Sequence, residues 1–312
     1  RVGLLLSAPA GNDLLFDESL CQQGKNFSNK VWNSFRLVKS WEVSDSAVQS
    51  NSSLTAIDWF KNKFNSKLIE IDDHFSKYRI SDALMTIYKL IWDDFCSWYL
   101  EMIKPGYGEA IDLETYNQTL RLLKNCLIIL HPFMPFISEE IWSGIKDKND
   151  DPLIVLEWPK SKTINHSILD DFEHISQLIT NIRKYRNEKG VSYKEKLELF
   201  SVVSQNSKMR SVILKLANSN LSDDFSNKSN NAHSVIVGRN EYFINNLSNQ
   251  EEDLDKVKED LDYNLGFLKS IQSKLSNQKF VDNAPEIVIK NERKKEEDAI
   301  KKIKMLELKL KK

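Results

Sequence analysis

"LLKNCLIILHPFMPFISEEIW", residues Leu122–Trp142, is the stretch that decides how this chain folds. It begins as a nearly continuous apolar helix, meets prolines at 132 and 135, and resumes as a helix with a polar edge. Pro132 has no N–H and its ring clashes with the preceding turn, so the first helix must end near His131. Pro135 is accommodated in the first turn of a following helix, and Ser138 and Glu139–Glu140 are compatible with that start. The stretch predicts a long buried helix, an apolar corner at "HPFMPF" and a second helix leaving in a new direction. Phe133, Met134 and Phe136 are expected to turn into the end of a bundle, and His131 to be a packed corner residue.

Upstream, apolar residues recur at helical spacing from Asp17 to Trp41: Leu20, Phe27, Val31, Phe35 and Val38. Asn26, Lys30, Asn33 and Ser40 fall on the opposite face. "VSDSAVQSNSS" reads as a polar linker. A second helix is predicted from about Leu54 to Phe75, with Ile57, Phe60, Phe64, Leu68, Ile71 and Phe75 in one stripe. A third starts near Ser81, with Leu84, Ile87, Ile91, Phe95, Trp98 and Met102 at steps of three and four, and is ended by "KPGYG". The fourth is capped near Asp112 and reaches Leu130. Four long amphipathic helices with short connections predict a mainly α chain built on an antiparallel bundle, here residues 17–167.

Downstream, a helix is predicted from Ile168 to Lys189, capped by Gly190. "KLELFSVV" and "SVIVGRNEYFI" read as strands, "SKMRSVILKLA" as a helix and "SDDFSNKSNNA" as a loop. A connecting helix and small α/β module thus fill 168–250, the module itself running from about Val191 to Asn246. In the tail, Leu254, Leu261, Leu268 and Leu275 recur every seven residues with Val257, Leu265 and Ile271 between them. After "SNQKFVDNAP" the pattern resumes at Ile289, Ala299, Ile303, Leu306 and Leu310. Residues 251–312 therefore predict an antiparallel coiled-coil hairpin. Its lysine runs are either a solvated face or a basic arm for RNA phosphates.

The 312 residues are 41% hydrophobic and 29% charged, with a net charge of −1. That favours two domains and a packed core. Overall charge says nothing about nucleic acid, so any basic surface must be local. The three cysteines, Cys21, Cys96 and Cys126, are isolated in apolar helical contexts. They are expected to be core thiols, with no zinc site and no disulfide framework, and a reducing cytosol fits. No signal peptide or membrane-length apolar run is present. Phosphate-loop, dinucleotide and nucleophile-elbow motifs are absent. The adjacent carboxylates Asp93–Asp94 and Glu139–Glu140 point about 100° apart on helices and cannot share one reacting atom. The residues alone therefore read as a helical binding module without a catalytic or metal site. Arg1, followed at once by "VGLLLSAPAG", reads as the start of a piece cut from a longer protein.

"APAGNDLLFDE", "GKNFSNKVWNSFRLVKSWE", "IWDDFCSWYLEMIKP", "HPFMPFISEEIW" and "KLSNQKFVDNAP" occur in this order along nearly the whole chain. Together they resemble the carboxy-terminal portion of bacterial valyl-tRNA synthetases. The likeness is weakest at 43–55 and 204–246. "HPFMPFISEEIW" resembles isoleucyl and leucyl relatives too. "KLSNQKFVDNAP" followed by a coiled-coil helix is the sharpest marker, and the cysteine-rich zinc module common in isoleucyl enzymes has no counterpart here. The resemblance implies the end of a stem-contact region at 1–16, an anticodon-binding bundle and a tRNA-binding arm. It implies a cytoplasmic monomer whose partner is valine tRNA, without DNA or membrane. The family's nucleotide-binding signatures are absent, so ATP would be a cofactor of the full-length enzyme and not of this piece, which is expected to be inactive alone. The alternatives are an isoleucyl or other related class I synthetase fragment, or a non-enzymatic helical protein-interaction module.

Anticodon bases are unstacked and are read through exposed edges and by stacking. The resemblance places the first helix at the anticodon. There Asn29 and Asn33 can pair with base edges, Lys30 and Arg36 can meet phosphates or bases, Trp32 or Trp41 can stack, and Leu37 can serve as an apolar platform. For Trp32 and Arg36 the other reading is packing and surface pairing. Arg183, Lys184, Arg186 and Lys189 form a second basic patch, either RNA contact or solvated surface. On the arm, the residues expected at the outer corner of tRNA are Lys290, Arg293, Lys294, Lys295, Lys301, Lys302 and Lys304. Glu292, Glu296, Glu297 and Asp298 are interleaved, so only one face can be basic.

Overall fold

The structure, a computed structural model, describes residues 2–7, 17–201, 207–245, 254–277 and 286–310. The chain divides into two compact units, 1–244 and 245–312. In the first, α1 (Val2–Ser7) lies on α2 (Glu18–Lys39). The Asp17 carboxylate accepts from the Ser19 N–H at 2.8 Å and starts α2. Phe27, Val31 and Val38 form its buried stripe. Next, α3 (Asn51–Ser76) begins inside the expected linker. Ser50 accepts from the Ser53 N–H at 3.1 Å and Thr55 donates back to the Asn51 carbonyl at 2.8 Å. Short hydroxyl side chains that look like loop composition thus close the first turn themselves. What is left of the linker includes β1 (Val43–Ser44), which pairs in parallel with β2 (Ile111–Asp112).

The expected third helix is not one α-helix. After α4 (Ile80–Lys89) the backbone widens into a π-helix over Leu90–Tyr99 and tightens again as α5 (Leu100–Ile103). No Pro or Gly marks the change. The wider turn shifts the side-chain register. Tyr99 becomes fully buried, its hydroxyl 2.8 Å from Thr119 Oγ1, while Trp98 moves to a half-buried flank. The core between α3 and this segment holds Phe60 against Phe95 and Tyr99, with centroids 5.3 and 5.2 Å away.

Asp112 caps α6 (Leu113–Leu130) by accepting from the Thr115 N–H at 2.8 Å. The helix ends at His131, as the prolines require, and α7 (Pro135–Ser143) follows. Phe133 is buried and stacks on Phe75 at 6.1 Å. Phe136 does not turn inward and is 90% exposed. It falls in the first turn of α7, whose phase puts Ser138, Ile141 and Trp142 inside. Ser138 Oγ donates its one proton to the Met134 carbonyl at 2.8 Å, so His131 Nδ1, also at 2.8 Å, must be the donor to Oγ. The corner is thereby tied across its own bend.

Asn165 caps α8 (His166–Lys189), and Gly190, at φ 66°, ends it in the left-handed conformation open to glycine. Trp59 of α3 stacks on Phe172 of α8 at 3.9 Å. A four-stranded sheet follows: β3 (Leu197–Ser201), β4 (Ser219–Ser222), β5 (His233–Val237) and β6 (Asn240–Ile244), in the order β4-β3-β6-β5. β3 and β4 are parallel, joined through α9 (Ser207–Ala217), which packs on α3 and α8; β5 and β6 form a hairpin. The short β4 has no counterpart among the expected strands, and Val202 and Val203 lie outside the described residues. Cys96 and Cys126 are buried, whereas Cys21 is exposed on α2 and is not a core thiol. Burial pushes the Cys96 thiol up to about 11 and the Cys126 thiol well above its ordinary value, so both stay protonated and inert.

In the second unit, α10 (Leu254–Leu275) packs along α11 (Glu286–Leu310). Ile271 and Asn264 are buried on α10, facing Ala299, Ile303 and Leu306. Leu265, expected in the seam, is 44% exposed; Asn264 sits between Leu261 and Leu268 instead. Steps of three and four from Leu261 and Leu268 allow either 264 or 265; the seven-residue repeat counted back from the buried Ile271 selects 264. The connecting turn at 278–285, residues 8–16, and the side chains of Leu254, Val257 and Leu310 lie outside the described residues.

Candidate nucleic-acid interface

The exposed side of α2 is built by phase. With Phe27, Val31, Ser34 and Val38 inside, Asn26, Asn29, Asn33 and Arg36 share the opposite stripe and are exposed. Between Glu18 and Glu42 the sequence has no carboxylate. Lys25, Lys30, Arg36 and Lys39 therefore share their helix with one acid, Glu18 in its first turn, and none is in an ion pair among the described residues. The result is a face of amides and cations.

Lys30 lies at the edge of this stripe, half-buried, its Nζ 5.6 Å from the Trp92 ring centroid. Trp92 stacks on Tyr88 at 5.6 Å and 11°, and Tyr88 meets Phe27 at 4.6 Å. This aromatic ladder holds α2 on the π-helix and places a cation beside a half-buried indole. Trp92 and Tyr88 were missed in the sequence. Their one signal is that they are large aromatics off the apolar stripe. Trp32 is half-buried against Phe35 at 5.4 Å, and Leu37 is half-buried. Phe35 in turn fills the space over Gly144, where an added Cβ would come within 2.7 Å of the ring. Trp32 thus contributes to packing through Phe35, while Asn29, Asn33 and Arg36 stand free of it.

The patch at the end of α8 divides. Arg186 is 1% exposed and donates to the carbonyls of Ser192, Glu195, Ala217 and Asn218 at 2.6–3.1 Å. It is a strut between α8 and the sheet module, not a surface cation. Its guanidinium is drawn inside because no other group there can bond four converging carbonyls. Arg183 lies over the Trp98 ring at 5.3 Å, Lys184 pairs with Glu188 at 3.9 Å, and Lys189 is exposed.

On α11, Arg293, Lys294, Lys295, Lys301, Lys302 and Lys304 are all exposed; the side chain of Lys290 lies outside the described residues. Lys295 pairs with Glu292 at 2.5 Å. Lys295 and Lys302 line a groove of about 300 Å³ with Tyr263, Phe267 and Asp298. Tyr263 is 72% and Phe267 42% exposed. These two aromatics, also missed in the sequence, set flat apolar faces beside two ammonium groups.

The carboxylate neighbours diverge as their helical spacing requires. Asp94 points into a pocket with Lys63, 3.7 Å away, while Asp93 is exposed; Glu139 accepts from the Leu153 N–H at 3.0 Å, while Glu140 is exposed. Among the described residues no three His, Cys, Asp or Glu side chains converge to hold a metal. No described helix is long and apolar enough to cross a membrane. A cavity of about 410 Å³ between α1, α2 and the "HPFMPF" corner is mostly apolar and offers no acid–base pair.

Residues 58–201 match the anticodon-binding domain of tRNA ligases, and residues 246–312 match the valyl tRNA synthetase tRNA binding arm. The valine–tRNA ligase of Christiangramia forsetii is 47% identical over all of this chain and 36% of that protein. Those of Parabacteroides distasonis and Phocaeicola vulgatus are 45% and 48% identical over 98% and 97% of the chain. The chain belongs to the valyl-tRNA synthetase family. It spans 36% of the length of the first of these relatives and corresponds to their carboxy-terminal part. The matched anticodon-binding range begins within α3, so α2 lies ahead of it, inside the region shared with the full-length relatives.

Proposed function

We propose that this chain is the tRNA-binding portion of a valine–tRNA ligase. In this reading 17–167 form an antiparallel bundle whose α2 reads the anticodon. Residues 251–312 form an antiparallel coiled-coil arm against the outer corner of valine tRNA, with 1–16 and 168–250 as stem-contact and connecting regions. The carboxylate-free face of α2 carries the reading: Asn29 and Asn33 can exchange two-sided hydrogen bonds with base edges, and Arg36 and Lys30 can meet phosphates or bases. Leu37 and Trp32, both half-buried, would support a stacked base from the side. On the arm, Arg293, Lys294, Lys301 and Lys304 would follow phosphates, as would Lys290. Tyr263 and Phe267, between Lys295 and Lys302, would take an exposed base face. ATP-dependent activation of valine belongs to the rest of the enzyme, since these 312 residues carry none of the family's nucleotide-binding signatures. The setting is cytoplasmic and the enzyme monomeric.

The test is Lys30→Ala with Asn33→Ala in the full-length enzyme. Aminoacylation of valine tRNA should fall about tenfold or more, since a lost base contact costs roughly 1–3 kcal/mol by analogy with direct readout in DNA. Valine-dependent pyrophosphate exchange should be unchanged. Unaltered tRNA kinetics would place the anticodon elsewhere, and competition by isoleucine tRNA would favour the isoleucyl alternative.

A further inference from the structure

A second cationic surface lies on neither α2 nor the arm. After α7, the strap of residues 158–165 runs along α3 and is pinned to a polar stripe on it. Trp158 Nε1 donates to Asp72 at 3.0 Å, the Lys162 N–H to Asn65 at 3.3 Å and the Asn165 N–H to Asn62 at 2.7 Å. Residue numbers fall on the helix as they rise on the strap, so the strap is laid down antiparallel to α3. Trp158 is further held edge-on against Phe75 at 5.7 Å. This anchoring brings Lys160 and Lys162 to the rim of a groove of about 340 Å³ between α3 and α6.

The groove has the composition of a phosphate site. Lys61, Arg121, Lys160 and Lys162 line it with the amides of Asn65, Gln118 and Asn125, over a floor that includes Phe64, Leu122 and Pro159. No carboxylate lines it, in a chain with 45 acidic and 44 basic residues. The four cations are exposed, and none is in an ion pair among the described residues. Glu114, outside the lining, accepts from Gln118 Nε2 at 2.7 Å. Like charges repel, and gathering four around one groove opposes folding slightly. Here the backbone bonds of the strap hold two of them in place whatever their side chains do. Cations supply phosphate contacts, amides can reach sugar hydroxyls or phosphate oxygens, and the Pro159–Leu122 floor suits a ribose or base face.

We propose that this α3–α6 groove is an RNA-backbone site, gripping phosphodiester groups independently of base sequence. The proposal rests on the tRNA-binding reading and adds a contact surface to it. Its test is Lys61→Glu with Arg121→Glu in the full-length enzyme. Binding of valine tRNA and of a tRNA with an unrelated anticodon is measured across a potassium chloride series. Both affinities should fall together, and the log–log salt slope should drop by about 1.5 units for two lost phosphate contacts at roughly 0.7–0.9 each. Should the double reversal lower the thermal melt, Lys160→Ala with Lys162→Ala replaces it, since that pair keeps the strap's backbone bonds. Unchanged affinity and slope for both tRNAs, while Lys30→Ala with Asn33→Ala still weakens valine tRNA, would overturn the groove and leave the anticodon reading intact. Loss confined to valine tRNA would overturn the backbone assignment in favour of base reading. Wild-type enzyme that binds neither tRNA would remove the groove and the tRNA reading together.

Discussion

Arg186 carries its charge into the interior, and the four carbonyls it satisfies come from two separate turns, 192–195 and 217–218. Replacing it with Met keeps most of the volume but strands those acceptors, so Arg186→Met should cost about 3–5 kcal/mol in guanidinium unfolding. Arg186→Lys should recover little, because one ammonium cannot span the fork. A cost below 1 kcal/mol would mean that water replaces the guanidinium. Asp94 poses the opposite problem. Burial raises its carboxyl to about 6 against the pull of Lys63 and Lys67 on α3, with Asp93 adding repulsion; Glu173 of α8 lines the same pocket. A raised carboxyl pKa means that the folded state holds the proton more tightly, so stability falls as pH climbs from about 4 to about 6. The penalty at neutral pH is about 2–3 kcal/mol. Asp94→Asn should therefore be nearly neutral at pH 4 and stabilising by about 2 kcal/mol at pH 8, measured by denaturant titration at both. Equal effects at the two pH values would show that ionisation of Asp94 is not what the site resists.

At the scale of elements, the arm is where spacing and burial part company. In sequence Leu265 and Ile271 lie alike between the seven-spaced leucines, yet Ile271 is 2% exposed and Leu265 44%. Ile271→Ala should cost about 2–4 kcal/mol of arm stability, while Leu265→Gln should change it by less than about 0.5. Two-probe thermal melts of the full-length enzyme would separate them, and equal losses would return Leu265 to the seam. Asn264 and Glu292, both buried along this seam, are the kind of polar residues that fix register at some cost in stability. The π-helix has a comparable effect in the bundle. By widening one stretch of a regular helix it buries Tyr99, releases Trp98 to the flank under Arg183, and leaves Trp92 beside Lys30.

For the whole molecule, two units predict separable roles. Removing residues 251–312 from the full-length enzyme should weaken tRNA binding and flatten its salt dependence, each lost phosphate contact lowering the slope by roughly 0.7–0.9. The first unit should keep its cooperative melt, because its apolar stripes are completed within residues 1–244. Loss of that melt would make the arm a packing element. Helix starts and stops were legible because they are local: Asp17 and Asp112 bond to N–H groups two or three residues on, Pro132 breaks its own turn, and Gly190 adopts a positive φ. The polar face of α2, with Asn26, Lys30 and Asn33, was legible for the same reason, since a helix turns sequence spacing into a face. Ser50–Ser53 was misread because hydroxyl residues suit a cap as well as a loop, and Phe136 because an apolar residue beside a corner can point either way. The sequence by itself determined the helical elements, their apolar stripes and the amide-and-cation face of α2, all consequences of neighbours within a turn or two. Only the tertiary structure decided that Arg186 is a strut, that Trp92 meets Lys30, and that Lys160 and Lys162 come to face Lys61 and Arg121. Each of these depends on elements distant in the chain, and their meeting is set by packing and by long-range hydrogen bonds that no local spacing encodes.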